Sequence, residues 1–584
     1  MKKLTLSLFA ICASLNFFAQ NDSIVTPYQF ETIFERSHTD STATYFQVIE
    51  FYNKLAKEYP EIKITSHGTT DAGKPLHLIL FDVDKNFDPL STPKNTVLIN
   101  NGIHPGEPDG IDASMLFLRD IVESEELKEK YKHVIIGIIP VYNIGGALNR
   151  NSGSRANQNG PSEYGFRGNA LNYDLNRDFI KNDTKNAEAF AKIFHYMNPD
   201  VFIDTHVSNG ADYQYTLTHL FTQHNKMGGS IGNFVLNSMQ TRIEQNLQEK
   251  GHIITPYVNV FNQVPEKGFS QFFDSPRYST GYSTLFNSLG FMVETHMLKP
   301  YRDRVYGTYE LLFSTLDFVN TYSYKIKQLR RDAVAEILET GEYPIHFEVD
   351  STLVTPLDFH GYEGHYEKSK VTGQLRLKYH REKPFTKTVN YFNIFKPTKS
   401  IKIPDYYMVP KRFKKVIAHL KRNKIVHFPL KEAIAIEVEG YKIASYETRK
   451  SPFEGHYLHY NTKVESAIEM QSFDKGDFLV PTNQPGLKYI LETLEPEATD
   501  SFFNWNFFDV ILQQKEHFSP YVFEDKAEEI LKNNPEIKAE FDAKKSNDSN
   551  FANNWYAQLN FIYLRSEHAE KSYLQYPIYR VFEK

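Results

Sequence analysis

Hydrophobic and polar positions alternate along this chain in two different ways, before and after about residue 330. Before it, short apolar runs that are typical of buried strands alternate with segments in which apolar residues recur every three or four positions, as in amphipathic helices. The predicted strands are 62–65, 76–83, 96–99, 133–141, 201–206 and 290–294, and the predicted helices are 45–59, 111–122, 185–197, 225–250 and 303–325. This alternation predicts an α/β fold, an α/β/α sandwich with a mixed, mainly parallel sheet.

After residue 330 the pattern changes to short alternating segments separated by Pro, Gly and charged residues, as in 345–349, 371–379 and 433–446. We therefore expect a β-rich accessory domain at 335–500. A mixed C-terminal region follows at 501–584, with amphipathic helices at 525–532 and 535–545.

The first residues have the form of a secretory signal peptide. Met1-Lys2-Lys3 precedes an apolar run that ends at Ala19, so we place the signal peptide at 1–20. The run is too short for a permanent membrane span, and no later apolar stretch is long enough. We expect an exported bacterial protein, periplasmic or secreted, without a membrane span after cleavage.

Composition narrows the chemistry further. The only cysteine, Cys12, lies in the predicted signal peptide, so His, Asp and Glu must supply any metal ligands of the mature chain. A hydrophobic content of 41% and a charged content of 24% are typical of a soluble globular protein. The net charge of -6 argues against a nucleic-acid partner, which requires a clustered basic face.

The loop 100–110, between the strand 96–99 and the helix 111–122, contains His104 and Glu107. An imidazole and a carboxylate at this spacing can occupy two corners of a zinc tetrahedron, and a third ligand must come from elsewhere. The pair alone is a weak signal, because the chain has 21 His and 72 acidic residues.

His206 is the candidate third ligand because it ends the predicted strand 201–206. Side chains that follow parallel strands meet at one edge of the sheet, and catalytic zinc commonly has three protein ligands and one open position. The alternative for His206 is a hydrogen-bonded histidine at the end of a strand.

Two further segments carry candidate chemistry. The loop 143–172 has no periodicity, and structureless segments of this length are usually functional. Arg167 and Arg177, at its end and just after it, suit a substrate carboxylate, because guanidinium binds carboxylate through two parallel hydrogen bonds. Glu294, at the end of a buried strand, suits proton transfer beside a metal. The alternatives are a solvated loop and a surface glutamate.

Taken together, these motifs resemble a known family. His104-x-x-Glu107, Arg167, Asn176-Arg177, His206 and Glu294 occur in the order and approximate spacing of the zinc metallocarboxypeptidases of the pancreatic type, family M14. The resemblance covers residues 27–325, which we therefore expect to form the catalytic domain. It implies one zinc ion, and hydrolysis by a metal-activated water of peptide bonds near the free C-terminal carboxylate of a peptide or protein.

The resemblance also implies a role for each matched residue. Zinc is bound by His104, Glu107 and His206; Arg167 polarises the scissile carbonyl, with Arg155 as the alternative; Asn176 and Arg177 bind the terminal carboxylate; Asp174 orients the first zinc histidine; and Glu294 is the general base and acid.

Some positions depart from the family pattern. The tyrosine that closes over the substrate has two candidates, Tyr278 and Tyr282, of which we favour Tyr278. Asp178 stands where Asn is common, which predicts a different charge near the carboxylate pocket. Two other functions stay open: a zinc amidase or peptidase acting on cell-wall peptides or N-acyl amino acids, and a catalytically inactive peptide-binding protein. A glycan- or envelope-binding role of the C-terminal region is also open.

Overall fold

The computed structural model describes residues 29–583. The predicted signal peptide at 1–20, with Cys12, lies outside the described residues. Among residues 29–583, no helix combines the length and the apolar character needed to cross a membrane.

A mixed eight-stranded sheet is the centre of the first 340 residues, in the order β1-β2-β4-β3-β5-β9-β6-β7. The strands of this part, including the short β8 outside the sheet, are β1 Ile62–Thr69, β2 Pro75–Phe81, β3 Asn95–Asn100, β4 Val134–Ile139, β5 Val201–Ser208, β6 Leu217–Phe221, β7 Ile254–Pro256, β8 Phe269–Ser270 and β9 Leu289–His296. The four central strands are parallel, as are β6 and β7, whereas the other three pairs are antiparallel. The predicted α/β class with a mainly parallel sheet is confirmed.

Helices cover both faces of this sheet. They are α1 Ile33–Arg36, α2 Tyr45–Glu58, α3 Asp109–Glu123, α4 Glu125–Lys130, α5 Ile144–Leu148, α6 Lys185–Met197, α7 His224–Met227, α8 Gly229–Phe234, α9 Thr241–Glu249, α10 Ser279–Thr284 and α11 Tyr301–Thr340. Within β3, Val97 and Ile99 pack in the core that contains α2 and α3, whereas Leu98 packs in the core that contains α6. Alternate residues of a buried strand thus serve opposite layers.

Two helical predictions need correction. The predicted helix 225–250 is interrupted, because Gly228 and Gly229 both have positive φ angles (71° and 54°) that separate α7 from α8. A π-helical turn, Val235–Gln240, then joins α8 to α9. The helix predicted to end at 325 continues to Thr340 and ends at Gly341, whose left-handed conformation suits glycine.

The rest of the chain is rich in strands, as predicted. Its strands are β10 Glu342–Val349, β11 Thr355–Lys368, β12 Leu375–Phe392, β13 Phe395–Lys402, β14 Tyr406–Val409, β15 Phe428–Pro429, β16 Ile434–Thr448, β17 His459–Phe473, β18 Phe478–Pro481 and β19 Tyr579–Val581. Its helices are α12 Lys414–Arg422, α13 Leu487–Leu494, α14 Pro520–Asn533, α15 Pro535–Asn547, α16 Ser549–Ala552 and α17 Trp555–Tyr563. The predicted strand 371–379 begins only at Leu375, because 369–374 form the turn of the hairpin between β11 and β12.

The two parts of the chain are continuous in space. β12 pairs with β8 through Tyr391 and Phe269. One hydrophobic cluster contains both Tyr282 of α10 and Tyr489 of α13. The predicted domain limits at 325, 335 and 500 stay predictions.

The register of two parallel strands positions the site. His206 of β5 lies directly opposite Glu294 of β9. Both residues are near the carboxyl ends of their strands, at the edge where β3 leads into the loop that contains His104. Paired residues of neighbouring strands project from the same face of a sheet, so these side chains converge.

Candidate active site

The three predicted metal ligands meet at one point. His104, Glu107 and His206 are all buried, and one ligand atom from each lies within 4.8 Å of the other two. The carboxylate of Glu107 lies between the rings: Oε1 is 3.4 Å from Nδ1 of His104, and Oε2 is 3.2 Å from Nδ1 of His206. The same nitrogen of each ring thus faces the same carboxylate.

A second carboxylate orients each imidazole. Nε2 of His104 is 3.0 Å from Oδ1 of Asp174, and Nε2 of His206 is 2.9 Å from Oδ2 of Asp204. Because an ionised carboxylate only accepts hydrogen bonds, it keeps the proton on Nε2 and leaves Nδ1 as a lone-pair donor. Two such imidazoles and one carboxylate are a donor set that fits a zinc ion.

Asp204 is a functional candidate that the motif reasoning missed. It is fully buried, and its other oxygen accepts a hydrogen bond from Nδ2 of Asn100 at 2.9 Å. The signal was present in the sequence, because residues two apart on a strand share one face and Asp204 precedes His206 at that spacing.

Glu294 lies beside the ligand set and lines the same cleft. Burial raises the pKa of its carboxyl to about 7, although His206 opposes the shift and Glu107 adds to it. A carboxyl group with a pKa near neutrality can both accept and return a proton, as a general base and acid must.

Both arginine candidates lie next to the ligands. Arg155 donates from Nη1 to Oε1 of Glu107 at 2.7 Å. Arg167 donates from Nε to Oδ2 of Asp174 at 3.0 Å, and its Nη1 lies 3.3 Å from Nδ1 of His104. The side chain of Arg167 is 45% exposed and that of Arg155 only 19%, so Arg167 is the more accessible from the cleft.

Asn176 and Arg177 form a short 3₁₀ turn, which Asp174 caps by accepting from the backbone N–H of Asn176 at 2.9 Å. The side-chain oxygen of Asn176 accepts from the backbone N–H of Ser279 at 3.2 Å. The guanidinium carbon of Arg177 is 4.5 Å from the centre of the Tyr278 ring. The side chains of Asn176 and Arg177 both line the cleft.

The two tyrosine candidates are in different environments. Tyr278 is half-buried and lines the cleft. Tyr282 is only 1% exposed, and its hydroxyl donates to the side chain of Asn423 at 2.6 Å. Tyr282 is therefore a core residue and does not line the cleft.

Asp178 does not present its charge to the cleft. It is fully buried, and its carboxylate accepts from Nζ of Lys181 and from the hydroxyl of Thr184, both at 2.6 Å. The negative charge of Asp178 is therefore neutralised by Lys181 and does not change the charge of the carboxylate pocket.

The cleft has a volume of about 500 Å³ and contains all of the predicted site residues except Asp174, which lies behind His104. Several further lining residues have no recognisable signal in the sequence, because they lie in irregular segments or inside apolar strands. They are Leu220, Tyr257, Asn259, Phe261, Phe272 and Met292.

Comparison with family models finds one match, in the first part of the chain. Residues 48–215 match the family model described as zinc carboxypeptidase. This segment includes the three candidate ligands and ends before Glu294. A search of curated proteins finds no match.

The chain is also similar to several solved structures. The metallo-carboxypeptidase from Burkholderia cenocepacia has a TM-score of 0.36 and 16% identity, over 46% of this chain and 68% of the other. Carboxypeptidase A from Helicoverpa armigera has a TM-score of 0.36 and 14% identity, over 48% and 74%. Bovine thrombin-activatable fibrinolysis inhibitor has a TM-score of 0.34 and 13% identity, over 50% and 98%.

Proposed function

The segment 48–215 belongs to the zinc carboxypeptidase family, and on that premise we propose that this protein is an exported zinc-dependent carboxypeptidase. One observation carries the proposal. His104, Glu107 and His206 meet within 4.8 Å, and Glu294 stands beside His206 on the neighbouring strand. Export is proposed from the signal peptide predicted at 1–20.

The proton transfers belong to Glu294. His104, Glu107 and His206 would hold a zinc ion, which would supply Lewis acidity for activating a water and a carbonyl group. Glu294 accepts the proton of the attacking water and later delivers it to the nitrogen of the departing amine, as the C–N bond breaks. Burial raises the pKa of the Glu294 carboxyl, which is the direction that favours its return of the proton to the amine.

Arg167 stabilises the charge that develops on the carbonyl oxygen. Its guanidinium is anchored by Asp174 through Nε and Nη2, at 3.0 and 2.9 Å, while the Nη1 edge faces His104. A donor fixed in advance avoids reorganisation when the charge appears, and removing one commonly costs about 3–4 kcal/mol. Arg155 donates to Glu107 at 2.7 Å and, against the effect of burial, lowers the pKa of that carboxyl.

Asn176 and Arg177, with Tyr278, recognise the free C-terminal carboxylate of a peptide or protein. Arg177 offers a planar donor pair that matches a carboxylate. The donors are held by the capped 3₁₀ turn and by the contact with Tyr278. Asn176 and Arg177 line the same cleft as the metal ligands, so a peptide held here by its terminal carboxylate would lie in the cleft that contains them.

The decisive test is Glu294→Gln, which keeps the shape of the side chain but cannot carry the proton. We expect bound zinc to be retained and turnover of dansylated peptides with varied final residues to fall about 100- to 10,000-fold. Glu492→Gln is the matched control, since Glu492 is also a buried carboxyl with a pKa of about 7 but does not line the cleft. Wild-type turnover by Glu294→Gln would show that the assigned mechanism is wrong.

The alternatives separate in the same assays. A peptidase or amidase acting on cell-wall peptides would release fragments from muropeptides and leave linear peptide ladders intact, which mass spectrometry distinguishes. Arg177→Ala should selectively impair a peptide with a free terminal carboxylate over the same peptide with a terminal amide. An inactive binding protein would retain a labelled peptide without cleaving it, with or without a chelator.

A further inference from the structure

The loop 275–279, which carries Tyr278 into the cleft, is held by a carboxylate from the C-terminal part of the chain. Asp500 accepts from the backbone N–H of Arg277 at 3.0 Å and from Nε of the same residue at 2.8 Å. In a third contact, Nη2 of Arg277 lies 2.7 Å from Oδ1 of Asp500. One carboxylate thus fixes both the backbone and the side chain of the residue next to Tyr278, across 223 positions of sequence.

The contact between Asp500 and Arg277 is sealed from solvent. Asp500 is fully buried, Arg277 is nearly so, and Nε1 of Trp505 donates to Oδ1 of Asp500 at 3.0 Å. The guanidinium carbon of Arg277 lies 5.2 Å from the centre of the Trp505 ring. A buried pair of this kind resists rearrangement, because separating its members leaves an uncompensated charge.

On the other side, the loop meets the candidate carboxylate-binding residues. Ser279 donates its backbone N–H to the side chain of Asn176, and the ring of Tyr278 faces the guanidinium of Arg177. Phe272 packs edge-on against Tyr278, with ring centres 5.1 Å apart. The position of the tyrosine is therefore set by Asp500 behind the loop and by Asn176 and Phe272 in front of it.

We propose that Asp500 is a positioning residue that holds Tyr278 over Arg177 and thereby sets the affinity of the cleft for a substrate's terminal carboxylate. Asp500 does not line the cleft, so it acts only through Arg277 and the loop. The inference rests on the proposed carboxypeptidase function. It assigns to the C-terminal part an indirect share in substrate recognition, exerted through Arg277 and Tyr278.

The test is Asp500→Asn in the full-length zinc-loaded protein, with a dansylated peptide bearing either a free C-terminal carboxylate or an amide. We expect KM for the free acid to rise about 10-fold, with kcat changed less than about threefold, because the reacting groups are untouched. The preference for acid over amide, as a ratio of kcat/KM values, should fall by a similar factor. In a Tyr278→Ala background, Asp500→Asn should have no further effect on KM.

Two further variants keep the test informative. Arg277→Lys retains the charge opposite Asp500 but lacks the planar fork, so it should reproduce the rise in KM even where Asp500→Asn fails to fold. Asp200→Asn is the matched control, because Asp200 is another fully buried aspartate paired with an arginine, Arg330, at the opposite end of β5. It should leave the preference for acid over amide unchanged.

The results that overturn the inference are distinct from those that overturn the proposed function. A folded Asp500→Asn or Arg277→Lys protein with wild-type KM and wild-type preference overturns the inference alone. So does an equal loss for acid and amide, or a full effect of Asp500→Asn in the Tyr278→Ala background, since either marks a merely structural role. A wild-type protein that cleaves neither peptide, or shows no preference, overturns the proposed function and the inference with it.

Discussion

The strands of the first 340 residues and those of residues 341–583 differ in how fully their side chains are buried. In the first part, β3, β4 and β5 are buried along their entire length, with helices on both faces, and the candidate chemistry lies where these strands end. In the second part, the long hairpin strands leave many side chains exposed, such as Ile468 and Met470 of β17, at 63% and 68%. The carboxyl edge of a buried sheet therefore carries the reactive groups, whereas the long hairpins leave much of their surface exposed.

The second part nevertheless contacts residues that support the site, without lining the cleft itself. Besides Asp500, Glu454 accepts a hydrogen bond from the backbone N–H of Asp174 at 2.9 Å. Asp174 in turn holds both His104 and Arg167. The reactive residues and their nearest supports, Asp174 and Asp204, therefore lie in the first part, whereas the second part supplies an outer layer of support through Glu454 and Asp500.

The largest expected effect is on the free energy of unfolding, and it shows whether the two parts unfold as one cooperative unit. Tyr489 of α13 is fully buried, packs against Phe286 with ring centres 5.7 Å apart, and accepts from Nδ2 of Asn423. Tyr489→Ala should lower the free energy of unfolding by about 3–5 kcal/mol, because a buried aromatic ring is replaced by a cavity. Tyr489→Phe is the control and should cost only about 1 kcal/mol.

The measurement uses two probes of one denaturant titration. Both tryptophans, Trp505 and Trp555, lie in the second part, so their fluorescence reports on that part. Peptidase activity at saturating substrate depends on the metal ligands and Glu294, so it reports on the first part. We expect both probes to shift together. A shift in fluorescence with an unchanged midpoint of activity would show that the parts unfold independently.

A smaller effect concerns pH and the same contact region. Burial raises the pKa of Glu492 from 4.5 to about 7, and its Oε1 accepts from the hydroxyl of Tyr343 at 3.0 Å. Between these values the folded state holds the proton more tightly than the unfolded state does, so the free energy of unfolding falls as pH rises through that window. Glu492→Gln removes this pH-dependent fall in the free energy of unfolding, because the amide does not titrate. The variant should gain about 2–3 kcal/mol over wild type on going from pH 5 to pH 8. Parallel denaturation midpoints for the two proteins over this range would contradict it.

The smallest of the three effects sharpens the account of the metal ligands. Asp204→Asn replaces the acceptor that keeps the proton on Nε2 of His206. We expect zinc affinity to fall about 10- to 100-fold, as is usual when a partner of a metal-binding histidine is changed. Competition with a chromophoric chelator measures it. Asp82→Asn, at another fully buried aspartate paired with Lys94 away from the cleft, should leave the affinity unchanged. Equal zinc affinities of the Asp204→Asn and Asp82→Asn variants would show that Asp204 does not support the metal ligands.

Much of the first part was predictable from sequence because its signals are local. Apolar runs such as 96–99 and 201–206 correspond to β3 and β5, and a polar motif after a strand is carried to the sheet edge. The spacing of His104 and Glu107, in one loop, brings both side chains to one point. For the same reason, the α/β class follows from the alternation of elements alone.

The remaining features depend on tertiary contacts. Nothing local distinguishes Tyr278 from Tyr282: Tyr278 immediately precedes α10 and lines the cleft, whereas Tyr282 lies within α10 and faces Asn423. The support from Asp500 likewise has no motif, because it depends on how the second part folds back onto the loop. α11 continues beyond the predicted end at 325 because no strong helix-ending residue occurs before Gly341.

The pairing of His206 with Glu294 across β5 and β9 has a consequence for how this chemistry can vary. Because strand side chains alternate in direction, an inserted or deleted residue within either strand turns one of the two groups to the opposite face of the sheet. Evolutionary or engineered change in these strands is therefore confined to substitution. Length variation is tolerated only in the connecting loops, where the shape of the cleft can change while the separation of its two central groups is preserved.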